Sequence, residues 1–516
     1  MRSVRIHKLR EMRQKAFLGG GQNKIDRQHE QGKYTARERL EKLLDPGSFE
    51  ETGMLAETIC TDFGLDKKRF PGDGVITGYG KINGKSVCIV ASDATVMGGS
   101  GQSSHIKKIV ETINNAGKFG IPLIQLFDSS GGRVQEGDGQ FAFAGSPFLS
   151  NTLVSGMIPQ ITAILGRCAG FAVYGSALTD FIIMVDQIGQ MYITGPRVIK
   201  EVTGEDISFE ELGGAKVHNR VSGCADFKVK KEEECFELIR KLLSYFPSNC
   251  SESPPVMDPD DDPNRTDDEI EKIVPSDPKK SYDMRDVILR LVDNKDFLEV
   301  KREFAQNIIT GFGRLKGRSV GFVANQPKVY AGSLTADSSD KAARFIRFCD
   351  AFNIPLIFLI DTPGYLPGVK QEHMGIIRHG AKLLYAVCEA TVPKISVVIR
   401  KGYGGGLVAL GGHKEHEIDL VLAWPMAEYA VMGAEAAVEL LYKNELTNAP
   451  NRLELKNKLA EEYREQFANP FYVAARMVIH DVIEPKETRR KIIAGLQFFQ
   501  GKKTPRLSKK HGNIPL

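Results

Sequence analysis

Residues 78–100 read GYGKINGKSVCIVASDATVMGGS, and residues 311–333 read GFGRLKGRSVGFVANQPKVYAGS. At a shift of 233, ten of the 23 positions are identical without a gap. The same shift places Ile121-Pro122-Leu123-Ile124, Phe127-Asp128 and Gly131 on Ile354-Pro355-Leu356-Ile357, Ile360-Asp361 and Gly364. At a shift of 234, Ile158-Pro159-Gln160-Ile161 falls on Val392-Pro393-Lys394-Ile395. One register kept over so much chain means a duplication, so the protein is two related halves.

Each half is strand-rich at its start and alternating afterwards. Lys81 to Ala91 predicts a hairpin that turns at Asn83-Gly84, a pair suited to the two positive φ values of a tight turn. Helices are expected over 105–119 and 340–352. Buried strands follow at 121–127 and 354–360, and further strands at 158–165 and 392–399 lead into glycine clusters. This order implies β-α-β units with helices packed on a mostly parallel sheet. Ser251 to Pro263, rich in proline and aspartate, reads as a surface linker between halves at 1–257 and 258–516.

With 516 residues, 69 Lys+Arg against 65 Asp+Glu and 42% hydrophobic residues, the composition is that of an ordinary globular chain. No basic excess marks a nucleic-acid binder, and no apolar run approaches the roughly 20 residues of a membrane span. The basic N-terminus (Arg2 to Lys15) lacks the apolar stretch of a secretory signal and reads as a solvated helix. Eight scattered cysteines form no C-x-x-C pair, which points to a reducing compartment, the cytoplasm, and to no metal site. Gly84-Lys85-Ser86 imitates the end of a phosphate loop, but the position that needs its leading glycine is Tyr79. His379 and the methionines Met191 and Met432 read as structural.

What remains is two glycine clusters in each half, each placed after a strand. Gly131-Gly132-Arg133 has Gly364-Tyr365 as its counterpart, and Ala169-Gly170-Phe171 has Gly404-Gly405-Gly406. Glycine exposes main-chain amides, and the first amides of a helix are not bonded within it. Two such N–H groups aimed at one point form an oxyanion hole without any catalytic side chain. A hole of this kind stabilises the enolate of a thioester, and two holes imply two carbonyls that become anionic in one reaction.

At these residues the chain resembles the carboxyltransferase subunits of biotin-dependent acyl-CoA enzymes. The resemblance spans Gln31-Gly-Lys-Tyr-Thr-Ala-Arg-Glu-Arg-Leu40, Ala177 to Phe181, Ile193-Thr-Gly-Pro196, Asp361-Thr-Pro-Gly-Tyr-Leu-Pro-Gly368, Arg378 to Lys382, Ala423-Trp-Pro425 and Lys510 to Leu516. It implies two tandem crotonase-like α/β domains of the ββα superhelix type, in a hexamer whose sites pair the first domain of one copy with the second domain of another. It also implies a coenzyme A ester on the first domain and biotin, carried on a separate carrier protein, on the second. By position, the amides of Gly170 and Phe171 would hold the thioester oxygen, with Gly131, Gly132, Arg133 and Ala169 binding the acyl-CoA. Those of Gly405 and Gly406 would hold the biotin ureido oxygen, with Gly364, Tyr365 and Gly404 beside it. Leu407 and Val408 would influence acyl size. The partners implied are a biotin carboxyl carrier protein and a biotin carboxylase subunit, or decarboxylase partners, and the substrate pair is propionyl-CoA and methylmalonyl-CoA.

The chain departs from that family at Phe171, where glycine is usual, and at Arg167, Gly175-Ser176, Leu407 and Val408. Three functions stay open on sequence alone. One is carboxyl transfer, as a carboxylase, a decarboxylase α chain or a transcarboxylase subunit. Another is a crotonase-type hydratase or isomerase, which needs a carboxylate pair that these clusters do not carry. The third is a CoA-ester-binding paralogue without turnover.

Overall fold

The computed structural model describes residues 2–137, 145–278 and 280–516. The chain separates into two compact units, Met1–Ser253 and Pro254–Leu516. The boundary lies four residues before the one read from sequence, because the start of the proline-acid segment packs on the second unit. There Val256 bridges Arg318, the Met257 N–H donates to Gly317 O, and Asp261 pairs with Arg265.

In the first unit the strands are β1 (Glu50–Thr52), β2 (Val75–Ile82), β3 (Lys85–Ser92), β4 (Leu123–Ser129), β5 (Gln160–Ala169), β6 (Phe181–Val185), β7 (Gln190–Tyr192) and β8 (Phe227–Val229). They form one sheet in the order β1-β2-β3-β4-β5-β6-β8, with β7 paired to the end of β5. The first three are antiparallel and the remainder parallel. The β2–β3 hairpin turns at Asn83 and Gly84, whose φ values of 49° and 78° are those the Asn-Gly pair predicts.

The second unit repeats the plan with β9 (Phe297–Val300), β10 (Ile308–Leu315), β11 (Arg318–Asn325), β12 (Leu356–Thr362), β13 (Lys394–Tyr403), β14 (Leu420–Ala423), β15 (Glu428–Ala430) and β16 (Asp481–Val482). Its order is β9-β10-β11-β12-β13-β14-β16, with β15 on the end of β13. Registers repeat as well: Cys88 pairs with Leu123 as Gly321 pairs with Leu356. The central strands are apolar on both faces, as helix-covered parallel strands must be.

Four helices position the glycine clusters: α1 (Ser103–Phe119), α2 (Phe171–Ala177), α3 (Ala336–Ala351) and α4 (Gly404–Ala409). Helix α1 sets Ile106, Ile109 and Ile113 against its sheet, and α3 does the same with Phe345, Ile346 and Cys349. Each carries one buried lysine at the equivalent place. Lys108 Nζ donates to Gly72 O and Val75 O, and Lys341 Nζ to Lys301 O, Phe304 O and Ile308 O. These amino groups tie carbonyls at the strand entrance to the helix. In the second unit the core is continued by Trp424, fully buried, whose indole N–H reaches Thr488 Oγ1 at 2.9 Å.

Candidate functional site

Both units carry the same irregularity where the central strands end. Pairing of β4 with β5 slips between Phe127 and Ser129, and pairing of β12 with β13 slips between Ile360 and Thr362. The residue at each slip is a buried aspartate, Asp128 and Asp361. Lys33 Nζ (3.0 Å) and Arg39 Nη2 (3.4 Å) donate to Asp128, both from the Gln31–Leu40 stretch singled out in the sequence. Thr35 within it caps the helix Ala36–Leu43 through a capping box with Glu38. Asp361 instead receives Arg400 Nε (3.1 Å), Tyr282 Oη (2.9 Å) and the Lys401 amide (3.2 Å). Burial pushes the Asp361 carboxyl above its ordinary range despite the adjacent Arg400. Each acid thus fixes a strand end through the donors around it.

Beyond the slip the chain makes a short extra ladder. The Gly101 N–H donates to Gly131 O (3.1 Å), and Gly101 O accepts from the Arg133 N–H (3.2 Å). In the second unit the Leu334 N–H donates to Gly364 O (2.9 Å), and Leu334 O accepts from the Leu366 N–H (2.8 Å). The residues between, Gly132 and Tyr365, therefore turn their own amides to the opposite side of the ladder. Since β4 lies between β3 and β5, and β12 between β11 and β13, that side is the end of the next strand. There stand Ala169-Gly170-Phe171 and Tyr403-Gly404-Gly405-Gly406.

The glycines are required here by space. A Cβ on Gly131 (φ +96°) would lie 2.7 Å from Ala169 O, and one on Gly406 would lie 2.8 Å from Gly364 Cα. The two loops of each cluster thus touch main chain to main chain. Gly170 (φ +57°) and Gly404 (φ +49°) make the turn from strand into helix. Gly131 and Gly364 donate their own N–H to Ser129 Oγ and Thr362 Oγ1, each at 3.2 Å, so the two loops are built alike. The Tyr365 ring lies against Gly405, and its hydroxyl, pushed up to about 12 by burial, donates to Gly380 O at 3.4 Å.

Three expectations about individual residues change. The Gly170 N–H donates to Tyr192 O (3.1 Å) as the last rung between β5 and β7, so its amide is already engaged within the sheet. The amide on that side is that of Gly132, which sequence reasoning grouped only with binding residues; the paired bridges Gly101–Gly132 and Leu334–Tyr365, 233 apart, were its signature. Arg133 does not reach outward to an acyl-CoA: it is buried, donating to Asp73, Glu136 and Ser100 O. Leu407 is also buried, packed where a Cβ of Gly402 or Gly412 would sit, and Val408 alone of that pair is partly exposed.

The Phe171 ring turns to Phe148 (centroids 5.0 Å), which also meets Tyr174 edge-on at 6.3 Å. Phe148 and Phe171, with Gly131, Ser129 and Ala172, line a cavity of about 20 Å³ at the first cluster. Arg167 stacks on Phe209 at 4.3 Å. Cys168 is fully buried and its thiol is pushed up to about 12, which leaves it inert as a nucleophile. His379 donates to Asp340 (2.8 Å) beside Lys382, away from both glycine turns in its bonding. Met432, unlike the buried Met191, is about one third exposed. Among the described residues no cluster of His, Cys, Asp and Glu could hold a metal ion, and no helix is long and apolar enough to cross a membrane.

Comparison with known proteins gives this geometry a family. The carboxyl transferase domain matches residues 27–514. The chain is 50% identical over 512 residues to the carboxyltransferase subunit of propionyl-CoA carboxylase of Haloferax mediterranei, covering 99% of each. It is 48% identical over 512 residues to the methylmalonyl-CoA decarboxylase subunit alpha of Propionigenium modestum, again covering 99% of each. Against the methylmalonyl-CoA carboxyltransferase 12S subunit of Propionibacterium freudenreichii subsp. shermanii it is 49% identical over 514 residues, 99% of this chain and 97% of that one. The crystal structure of transcarboxylase 12S, a hexamer with methylmalonyl-coenzyme A and methylmalonic acid bound, superposes with a TM-score of 0.96 at 48% identity, over 100% of this chain and 99% of that one. The two tandem crotonase-like domains that the resemblance implied, in keeping with the duplication, are therefore the fold found. The chain belongs to the carboxyl transferase family and is an acyl-CoA carboxyltransferase.

Proposed function

We propose that this chain moves a carboxyl group between carboxybiotin, carried on a separate protein, and the α-carbon of propionyl-CoA, giving or consuming methylmalonyl-CoA. The observation that carries this reading is the twofold turn. In each unit a main-chain amide after the fourth strand of the plan faces a glycine-opened helix start after the fifth. Gly132 and Phe171 hold the thioester oxygen, with Gly131 and Ala169 closing the loop. Gly405 and Gly406, with the Tyr365 amide, hold the biotin ureido oxygen, and Gly364 and Gly404 shape that turn.

The second turn fits a ureido ring. Three successive glycines leave the main chain bare, and the Tyr365 ring stands 3.6 Å from where a Gly405 Cβ would be, a flat apolar wall. Carboxybiotin, when bound, would supply the carboxyl group and, in its ring nitrogen, an acceptor for the acyl α-proton. The chain supplies charge stabilisation: neutral amides, already oriented, meet the negative charge that develops on the thioester oxygen. Neither turn carries a carboxylate or imidazole, so the hydratase reading lacks the paired acids it requires. Transfer in the reverse direction uses the same groups, so partner subunits set direction. The proposed partners are a biotin carboxyl carrier protein with a biotin carboxylase, or decarboxylase partners, around a hexamer like that of transcarboxylase 12S. Val408 is the proposed determinant of acyl size, and eight free cysteines suit the cytoplasm.

The test is purified protein with methylmalonyl-CoA and free biotin, followed by mass spectrometry of the CoA esters. Biotin-dependent propionyl-CoA is the expected product. If CoA esters bind but no carboxyacyl-CoA turns over, even with a biotinylated carrier protein added, the chain is a binding paralogue and the proposal fails.

A further inference from the structure

Arg133 follows the Gly132 amide directly, and nothing in its surroundings is solvent: its relative exposure is 2%. Its Nη2 donates to Ser100 O (2.7 Å), and its Nη1 donates to Asp73 Oδ1 (2.8 Å) and to Glu136 Oε1. Its own backbone N–H donates to Gly101 O (3.2 Å). One residue thereby ties both ends of itself to the neighbouring segment 100–101, the segment that holds Gly132 in its ladder. The two carboxylates are fixed in turn. Thr58 Oγ1 (2.8 Å) and Ser103 Oγ (2.7 Å) donate to Glu136, and the His105 amide (3.0 Å) donates to Asp73. Ser103 and His105 lie in the first turn of α1, so the guanidinium couples the Gly132 loop to a helix and not to another loop.

The second unit lacks this device. Leu366 stands where Arg133 stands in the first, and the loop there rests on the Leu334 ladder and the glycine contact between residues 364 and 406. A buried guanidinium between two buried acids is costly to assemble and gives up most of its value if any member moves. Such a device is in place behind a donor whose position decides a reaction, because a hole must be held to within a fraction of an ångström without help from the ligand.

We infer that Arg133 is a positioning residue for carboxyl transfer: through its bonds to Ser100, Asp73 and Glu136 it holds the Gly132 amide at the place where the thioester oxygen becomes negative. This rests on the assignment of Gly132 to the first oxyanion hole. Arg133 acts from behind the site and touches no substrate.

The experiment compares three variants of the full-length protein in the methylmalonyl-CoA and biotin assay. Each is also loaded with propionyl-CoA carrying carbon-13 at the thioester carbonyl, and the carbonyl stretch is read by isotope-edited infrared difference spectroscopy. Arg133→Lys keeps the buried charge but cannot make the forked contacts. It is expected to lower kcat by about 10- to 100-fold, short of the full 10²–10³ for a lost donor, with KM for the CoA ester changed less than threefold and the carbonyl red-shift reduced. Glu136→Gln keeps the arginine and weakens its anchor, and it should move both readouts the same way by less. Gly132→Pro removes the amide itself and should reduce the red-shift most, leaving the share that comes from the Phe171 amide. If Gly132→Pro shows that reduction while Arg133→Lys and Glu136→Gln keep both shift and kcat, the positioning role is refuted and the hole stands. If Gly132→Pro, folded, keeps both shift and kcat, the hole assignment falls first.

Discussion

Replacing Gly406 by alanine adds one methyl group at the tightest contact of the second cluster. Its backbone is not in the left-handed region, so the whole effect comes from space. The new Cβ would lie 2.8 Å from Gly364 Cα, 3.2 Å from Gly364 C and 3.2 Å from Thr362 Cγ2. All three are rigid: two are main chain, and Thr362 is held by its hydroxyl between Gly364 N and O. To reach even the near edge of ordinary contact at 3.4 Å, the loops must part by about 0.6 Å. Overpacking of this kind costs about 1–3 kcal/mol, and alanine returns about 1 kcal/mol through helix propensity. A net loss of about 1 kcal/mol corresponds to a Tm lower by about 2–4 °C for a unit of this size. Catalysis should suffer more than stability. A misplacement near 1 Å costs about 10²-fold, so a fall in transfer on the order of tenfold is expected, expressed in the KM for biotin and in kcat but not in the KM for the CoA ester. Gly405→Ala is the control for stability, since its Cβ meets only the Tyr365 ring at an unstrained 3.6 Å, and its Tm should not fall. A Gly406→Ala protein that folds and keeps wild-type kcat and biotin KM would refute the claim that the two loops must touch for the second hole to form.

Asp361→Asn removes the charge that faces buried Arg400, and breaking such a pair should cost about 3–5 kcal/mol, read as a large drop in Tm of the second unit's transition in calorimetry. Burial pushes Lys341 down to about 7 while an unfolded lysine titrates near 10.4, so between these values the unfolded chain holds the extra proton and stability rises with pH. Comparing Tm from pH 7 to 10 in wild type and Lys341→Met should show a smaller rise in the variant; equal slopes would contradict the assignment. Alkylation of the native protein followed by mass spectrometry should leave Cys168, Cys235 and Cys349 unmodified, as all three are buried with thiols pushed above their ordinary range. Activity should track the assembled oligomer on dilution, and full activity in a strictly monomeric fraction would defeat a site shared between copies.

Much of this fold could be read from the chain because the duplication prints the same strand pattern twice. The hairpin was legible from Asn83-Gly84, and the strands 123–129 and 356–362 from apolar runs that end at an aspartate. What was not legible depends on contacts distant in sequence. The Gly170 amide looked available because glycines before helices usually leave theirs so; only the three-residue strand β7, twenty residues on, engages it. Arg133 looked like a cation beside a ligand loop because its partner Asp73 lies 60 residues earlier. Leu407 follows a hole glycine in sequence, yet in a helix of six residues the next position already points back at the sheet.

The two halves have kept their main-chain geometry and exchanged its supports. Asp128 and Asp361 occupy the same slip in the same strand, yet one is neutralised by Lys33 and Arg39 from the N-terminal segment and the other by Arg400 from the adjacent strand with Tyr282. Gly166 shows why. It stands where Arg400 stands in the second unit, and a Cβ there would fall 2.0 Å from the Asp128 carboxylate, so the neighbouring strand cannot supply a side chain. The cation must come over the top, and the Gln31–Leu40 segment brings it. Arg39 is also pinned by Glu232 (2.8 Å) and by Leu165 O (2.8 Å), the carbonyl one residue before Gly166. The first turn is thus braced by cations from the N-terminal segment, the second by Arg400 from its own sheet, and in both the glycine loops touch main chain to main chain. The main-chain turn is therefore what the two units keep, while the side chains that brace it come from different parts of the chain.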